Sequence, residues 1–268
     1  MKSTNKIKSP LRYPGGKSRA VKEIWKYIEP LEPKTLCSPF FGGGSLEIFC
    51  AQKGIKVHGY DNFRPLVDFW IWLLKDPKKL AKNVKTYHPL TPRKKFYDLQ
   101  KEHVTIKDSF QRAVMFYVLN RTSFSGSTLS GGMASGGVDD NPRFTESSIK
   151  RINDFKIDNL NVKFASFEKS ILKHPKDLLY LDPPYLIKNK LYGNRGDLHK
   201  NFKHDALAEI LKKRKKWILS YNNSKEVREL YSDYHIEEPK WSYGMSKDKK
   251  SKEVLIFSSD IPIEHKQD

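Results

Sequence analysis

The chain has 268 residues, and its 50 Lys and Arg against 31 Asp and Glu give a formal net charge of +19. This length allows one large domain or one domain with an insertion, and the charge favours a polyanionic partner. The two cysteines, Cys37 and Cys50, form no Cys-x-x-Cys pair, which excludes the usual disulfide scaffolds and cysteine zinc sites. Because no apolar run is long enough to span a bilayer, we expect an intracellular protein with no membrane partner.

The first candidate site is a Pro/Gly turn in residues 8–19, which carries Tyr13 and Lys17 and leads into a predicted helix over residues 18–28. Glycines let the backbone approach a ligand closely, and Lys17 places a positive charge beside them. The alternative is a plain N-terminal loop joined to a helix.

Residues 35–49 contain a short apolar strand, three glycines at 42–44 and a predicted helix. This strand–turn–helix unit receives nucleotide-like ligands, although the spacing matches neither an ATP P-loop nor the dinucleotide-binding glycine pattern. A second strand over residues 55–60 ends at Asp61. An acidic residue at that place usually holds ribose hydroxyls, and the alternative is a cap on the next helix or turn.

The alternation of strands and helices stops between about residues 63 and 144. A very apolar helix is predicted over residues 66–74. Thr91 followed by Pro92 predicts the start of another helix, and Asp108 is the predicted cap of a third. We therefore expect a separate, mostly helical module inserted into an α/β domain.

The end of this module, residues 120–143, is rich in Gly, Ser and Thr and has Asn120, Arg121 and Arg143 at its ends. It is too long for a simple connection, and such loops are usually functional or disordered. We expect it to enter DNA, with contacts from Asn120, Arg121 and Arg143. The alternative is a disordered surface loop.

The second half returns to the sheet through a helix capped by Thr145, and its centre is the run Leu-Leu-Tyr-Leu-Asp-Pro-Pro-Tyr-Leu at residues 178–186. The apolar residues predict a strand buried on both faces. The two prolines must end it, so Asp182 and Tyr185 are displayed at the carboxyl end of a strand, where open α/β sheets bind ligands.

An exocyclic amino group on a base offers two N–H donors, one for Asp182 and one for the carbonyl of Pro183, while Tyr185 could stack on the ring. The alternative is a strand that ends in a proline turn with a surface tyrosine. Beyond this site we predict a polar loop over residues 189–203 and a C-terminal antiparallel hairpin from residues 234–241 and 253–258.

In their order and spacing, three motifs resemble the Dam-type, α-class DNA adenine-N6 methyltransferases. They are Tyr-Pro-Gly-Gly-Lys at residues 13–17, Pro-Phe-Phe-Gly-Gly-Gly-Ser at 39–45 and Asp-Pro-Pro-Tyr at 182–185. The resemblance spans nearly the whole chain. It implies a class I methyltransferase fold, an α/β Rossmann-like sheet that here ends in the antiparallel hairpin, with an inserted target-recognition domain. We therefore predict catalytic parts at residues 1–64 and 147–268 and a helical DNA-binding insertion at residues 65–146.

The resemblance implies S-adenosyl-L-methionine as the methyl donor and no metal. Gly42 and Gly44 would make room for the methionine part, Asp61 would bind the ribose and Phe167 would lie beside the donor's adenine. The donor pocket as a whole is assigned to Tyr13, Lys17, Phe40, Gly42, Gly44, Asp61, Phe167 and Asp182. Two residues depart from the family pattern, because Ser38 and Ser166 stand where acidic residues are usual.

By the same resemblance, Asp182, Pro183 and Tyr185 would hold an adenine flipped out of double-stranded DNA, and its N6 amino group would attack the donor directly. Three alternatives remain: methylation of cytosine N4, methylation of adenine in RNA, and a non-catalytic DNA-binding protein. A cognate restriction endonuclease is a possible partner, and the expected setting is the cytoplasm of a prokaryotic or phage-like system.

Overall fold

The computed structural model describes residues 7–134, 143–186, 202–239 and 253–263. The strands in these ranges form one seven-stranded sheet. They are β1 (Thr35–Ser38), β2 (Lys56–Asp61), β3 (Leu160–Phe164), β4 (Leu178–Leu181), β5 (Trp217–Asn222), β6 (His235–Glu237) and β7 (Glu253–Phe257). The order across the sheet is β3-β2-β1-β4-β5-β7-β6.

The sheet changes its winding direction between β1 and β4. From β1 the chain continues outward through β2 and β3, whereas β4 and β5 lie on the other side of β1, and these five strands are all parallel. Where the winding reverses, the loops that follow the two central strands diverge and leave a crevice at their carboxyl ends. The fold therefore places the turns after β1 and β4 side by side.

The predicted antiparallel hairpin at the C-terminal end is confirmed, since β6 pairs antiparallel with β7. The sequence did not indicate where this hairpin joins the sheet. Strand β7 lies between β5 and β6 and pairs antiparallel with both, so its first residue, Glu253, lies opposite Asn222 at the carboxyl end of β5. The predicted connection over residues 244–252 lies outside the described residues, and so do residues 189–201 of the predicted loop over residues 189–203.

Helices cover both faces of the sheet. Those in the described residues are α1 (Val21–Ile28), α2 (Ser45–Gln52), α3 (Arg64–Lys75), α4 (Pro77–Lys85), α5 (Arg93–His103), α6 (Ser109–Thr122), α7 (Glu146–Asn153), α8 (Phe167–Lys173), α9 (His204–Lys212) and α10 (Lys225–Leu230). Strand β4 shows why two layers are needed, because successive side chains point to opposite faces. Leu178 and Tyr180 join one hydrophobic cluster, while Leu179 and Leu181 join the other.

Helices α3 to α6 lie between β2 and β3 in the chain, where the sequence predicts a helical insertion. Their buried side chains, such as Trp70 and Phe116, belong to the same hydrophobic cluster as Leu36 of β1. These helices therefore share a continuous core with the sheet. The boundaries of the insertion as a domain, residues 65–146, stay a prediction.

Two of the three predicted helix caps in this region are confirmed. Asp108 accepts a backbone N–H bond in the first turn of α6, and Thr145 does the same for α7. The cap predicted at Thr91 is wrong, because Pro92 itself occupies the N-cap position with an extended ψ of 171° and the helix begins after it. That helix has no side-chain cap.

A buried histidine at the end of α5 predicts that the fold loses stability in acid. His103 is 2% exposed, and burial lowers its pKa to about 4. Because the unfolded chain binds this proton near pH 6.5, the stabilising effect of neutral His103 is complete above that pH and is lost as the pH falls towards 4. The full loss is about 3 kcal/mol.

Urea unfolding of wild type and His103→Leu at pH 7 and at pH 4.5 measures this effect. The wild-type free energy of unfolding should fall more steeply with acid than that of the variant, by about 2–3 kcal/mol. Parallel losses in the two proteins would contradict the assignment to His103.

Candidate active site

One cleft opens at the carboxyl edge of the sheet, where the loops after β1 and β4 diverge. Three turns supply its walls: residues 13–17 before α1, residues 40–45 after β1 and residues 182–185 after β4. The cleft is open to solvent at its mouth, and glycine backbone, aromatic rings and charged side chains all line it. The structure thus brings together the three motifs that the sequence analysis singled out.

Lys17 is the centre of a buried polar cluster in this cleft. Its side chain is 4% exposed, and Nζ donates to Oδ1 of Asp182 at 2.7 Å, to Oδ2 at 2.8 Å and to the hydroxyl oxygen of Tyr185 at 2.7 Å. Oε1 of Glu253 lies 3.5 Å from the same nitrogen, and the Tyr185 hydroxyl donates to Glu253 in a close contact. One ammonium group therefore fixes both side chains that were expected to hold a base.

The charges in this cluster set the protonation of its members. Burial alone would lower the pKa of Lys17, but the charges of Asp182 and Glu253 raise it overall, so Lys17 is a cation. Burial raises the pKa of Asp182 to about 6, Glu253 adds to this rise, and Lys17 opposes it. Asp182 is therefore ionised at neutral pH but sits close to its titration range.

Glu253 is a residue of this cluster that the sequence analysis missed. It is the first residue of β7 and is 6% exposed. The available signal was an acidic residue directly before the apolar run Val-Leu-Ile-Phe, a position that normally faces the core. Its closeness to Lys17 depends on β7 pairing beside β5, which the local pattern does not encode.

Asp61 stabilises the glycine turn after β1 through a backbone hydrogen bond. The Gly42 N–H donates to Oδ2 of Asp61 at 3.0 Å, and the Phe63 N–H donates to Oδ1 at 2.9 Å. Gly44 has a φ of +64°, and a Cβ there would lie 2.7 Å from the ring of Phe41. This turn requires glycine, and a side chain at Gly44 would break its packing.

Asp61 therefore has a structural role in the turn beside the ribose contact expected for it. Its carboxylate lines the cleft, and burial raises its pKa to about 6. Each carboxylate oxygen has two lone pairs, so both backbone bonds leave acceptor capacity for a ribose hydroxyl.

Aromatic rings form the wall of the cleft beyond the turn. Phe40 and Phe202 line it, and Phe167 packs against both with ring centroids 5.7 and 5.4 Å away. Tyr13 covers the glycine turn, since a Cβ at Gly43 would lie 2.7 Å from the Tyr13 Cβ. This combination of apolar wall, open glycine backbone and charged end suits a ligand that joins an aromatic nucleoside to a charged, flexible group.

Ser38, one of the two residues that depart from the resembled pattern, contacts an acidic side chain of α2. Its hydroxyl donates to Oε1 of Glu47 at 2.7 Å, and both side chains are buried. Burial raises the pKa of Glu47 to about 7, an effect that the bond from Ser38 opposes. Glu47 lies on the cleft wall, and the sequence analysis did not single it out.

The residues expected to contact DNA differ in their surroundings. Asn120 is fully buried: its Oδ1 accepts the Arg12 N–H at 3.0 Å, and its Nδ2 donates to the Arg12 carbonyl at 2.7 Å. In this position Asn120 fixes the backbone before Tyr13 and does not present its amide at the surface, and the DNA contact expected of it stays a prediction. A sequence rich in Gly and Ser predicts mobility, but this part of the stretch packs tightly.

Arg121 and Arg143 lie together with Arg12. Arg121 donates from Nε at 2.9 Å and from Nη2 at 2.5 Å to the backbone carbonyl of Arg143. Burial lowers the pKa of Arg12, and the charges of Arg143 and Arg121 lower it further. The three guanidinium groups are thus close enough to repel one another, and residues 135–142, between Arg121 and Arg143 in the chain, lie outside the described structure.

The strand order, the antiparallel seventh strand and the cleft at the switch point are those of a class I methyltransferase. The sequence model of the family described as D12 class N6 adenine-specific DNA methyltransferase matches residues 13–245, and the chain belongs to this family. The family is that of S-adenosylmethionine-dependent enzymes that methylate adenine in DNA. The comparison with curated proteins gave no match.

Two further features bear on partners and ligands. None of the helices in the described ranges is long and apolar enough to cross a membrane. A search of the same ranges for three or more His, Cys, Asp or Glu side chains grouped as metal ligands found none.

Proposed function

We propose that this protein transfers a methyl group from S-adenosylmethionine to the N6 amino group of an adenine extruded from double-stranded DNA at a specific site. One observation carries the proposal. Lys17, Asp182 and Tyr185 are hydrogen-bonded to one another and lie beside the glycine turn in a single cleft. This places acceptors for an amino group next to a pocket suited to a nucleoside donor. Family membership supports adenine in DNA over cytosine or RNA.

Asp182 and the Pro183 carbonyl act as the two acceptors for the adenine amino group. The amino nitrogen is a poor nucleophile because its lone pair is delocalised into the ring. Acceptors on both N–H bonds favour a more tetrahedral nitrogen and stabilise the positive charge that develops on it during attack. Lys17 holds both oxygens of Asp182 and so limits the orientations available to the carboxylate.

S-adenosylmethionine supplies an electrophilic methyl group on a positively charged sulfur. The glycine turn would hold its amino-acid part and Asp61 its ribose, while Phe40 and Phe202 would line the adenine position. Asp182 faces both ligands, so its negative charge favours the sulfonium as well as the amino group.

Tyr185 has a second role besides the stacking on the base that was expected of it. Its hydroxyl connects Lys17 to Glu253, and its ring stacks on Tyr221 with centroids 6.0 Å apart. These contacts support a fixed Tyr185 ring at the entrance to the base position. We therefore expect Tyr185→Phe to lose part of the activity that ring stacking alone would preserve.

The positive charge of the chain and the helical insertion support binding to DNA. A net charge of +19 favours the phosphate backbone, and the cluster of Arg12, Arg121 and Arg143 includes the residue directly before Tyr13, which lines the cleft. We assign sequence choice to the insertion, with Arg143 as a candidate for reading a base edge.

Nucleoside analysis of DNA incubated with the protein and S-adenosylmethionine tests the function. We expect N6-methyladenine in duplex DNA that contains the recognition site, and mapping the modified positions would give that site. Only N4-methylcytosine, transfer to RNA alone, or no transfer to DNA of varied sequence would refute the proposal.

An exposed phenylalanine in the turn that follows α6 predicts a role in extruding the base. Phe124 is 59% exposed, and the next residue, Ser125, has a φ of +55°. An apolar side chain inserted between base pairs offsets unstacking, which costs a few kcal/mol. Phe124→Ala should therefore slow methylation of a duplex by roughly tenfold or more.

The same variant should act nearly normally on a duplex with a mismatch at the target adenine, because a mismatched base leaves the stack more easily. Leu172→Ala is the matched control, since Leu172 is also exposed, at 77%, but lies on α8. An equal loss on matched and mismatched DNA would exclude the wedge role.

A further inference from the structure

A buried carboxylate lies beside the glycine turn. Ser38 ends β1, and Glu47 lies in the first turn of α2. Although they are nine positions apart, the Ser38 hydroxyl donates to Glu47 Oε1 at 2.7 Å. The carboxylate therefore reaches back to the end of the strand, into the region that an acid at position 38 would occupy.

Burying the ionised Glu47 side chain in these surroundings costs free energy. Glu47 is 3% exposed and lies between Leu46 and Ile48, both 1% exposed. The side-chain hydrogen bond to its carboxylate comes from the neutral hydroxyl of Ser38, and this bond and a backbone N–H bond only partly offset the rise in pKa that burial causes. A buried carboxylate with so little compensation favours binding of a cation.

We propose that Glu47, oriented by Ser38, binds the α-ammonium group of the methionine part of the methyl donor. This inference rests on the proposed use of S-adenosylmethionine. Glu47 lines the same cleft as Gly42 and Gly44, whose backbones leave room for the donor. An ammonium group offers three N–H donors, and its bonds to a carboxylate are charge-assisted and strong.

Two nucleosides separate this contact from the rest of the pocket. S-adenosylhomocysteine carries the ammonium group, whereas 5′-methylthioadenosine has the same nucleoside and a thioether but no amino-acid part. Calorimetric titration of the full chain should show that Glu47→Gln binds S-adenosylhomocysteine about 10–100-fold more weakly than wild type. Its affinity for 5′-methylthioadenosine should stay within about twofold of wild type.

A second substitution tests whether a carboxylate at the end of β1 can replace that of Glu47. Ser38→Asp in the Glu47→Gln background places a carboxylate there and should restore most of the lost affinity for S-adenosylhomocysteine. Glu23→Gln, at a partly exposed position of α1, is the matched control and should change neither affinity. If the Gln variant unfolds, Glu47→Met provides an apolar replacement of similar size for the same pair of ligands.

The outcomes separate this inference from the function on which it rests. Equal weakening of both nucleosides in Glu47→Gln would make Glu47 a packing residue and overturn the inference while donor use stands. Unchanged binding of S-adenosylhomocysteine would also overturn it. Wild-type protein that bound neither S-adenosylmethionine nor S-adenosylhomocysteine would refute both proposals.

Discussion

Lys17→Met should destabilise the protein by about 3–5 kcal/mol and abolish methyl transfer. The ammonium is buried and holds Asp182, Tyr185 and Glu253. Removing it leaves two carboxylates facing each other in a buried site without a cation. Such an uncompensated charge costs more than the intact pair contributes. Urea unfolding at pH 7 measures the loss of stability, and methylation of duplex DNA measures the loss of activity.

A second variant identifies the cause of this loss. Adding Glu253→Gln to Lys17→Met removes one of the two unneutralised charges, so the double variant should recover part of the stability but none of the activity. Lys26→Met is the matched control on α1, because its side chain is 58% exposed and its ion pair with Glu23 lies on the surface. Surface pairs contribute at most about 1 kcal/mol. A Lys17→Met protein as stable as wild type would show that the cluster does not need its cation.

Asp182→Asn should reduce the rate of methyl transfer by about 10²–10³-fold or more. Asparagine keeps the size of the side chain and one acceptor oxygen, but it removes the negative charge that stabilises the developing cation. It also places an amide N–H₂ group where two acceptor oxygens now face Lys17. Single-turnover transfer from labelled donor at saturating DNA measures the chemical step.

Binding measurements distinguish a chemical role from a structural one. The Asp182→Asn protein should retain its fold and its binding of duplex DNA, with a smaller loss of donor affinity than of rate. Asp154→Asn is the control, since Asp154 is a half-exposed carboxylate that pairs with Lys150 after α7. A near wild-type rate in Asp182→Asn would rule out the carboxylate as the group that activates the amino nitrogen.

The sequence predicts those parts of the site in which neighbouring residues act together. Asp182, Pro183 and Tyr185 follow one buried strand, so an apolar run and two prolines suffice to place them at its carboxyl end. The glycine turn is predictable for the same reason, because its backbone requirement is local. The hairpin of β6 and β7 is also a local feature, and its pairing is confirmed.

The remaining parts depend on contacts between distant segments. Glu253 reaches Lys17 only because β7 lies next to β5, and nothing in residues 253–257 specifies that neighbour. Asn120 was expected at the DNA because its surroundings are polar, yet it bonds to the backbone of Arg12 on another segment. In both cases the partner lies far away in the chain, so composition and periodicity carry no information about it.

The ion pair between Lys17 and Glu253 affects when the active site can form during synthesis and folding. It joins a loop near the start of the chain to the strand that completes the sheet, so this contact closes one of the longest loops in the fold. Contacts of such separation form late, because the entropy of the intervening chain must first be lost. During synthesis Lys17 emerges long before Glu253. The reactive arrangement is therefore assembled only after translation has passed β7, and a nascent chain shorter than this has no competent site.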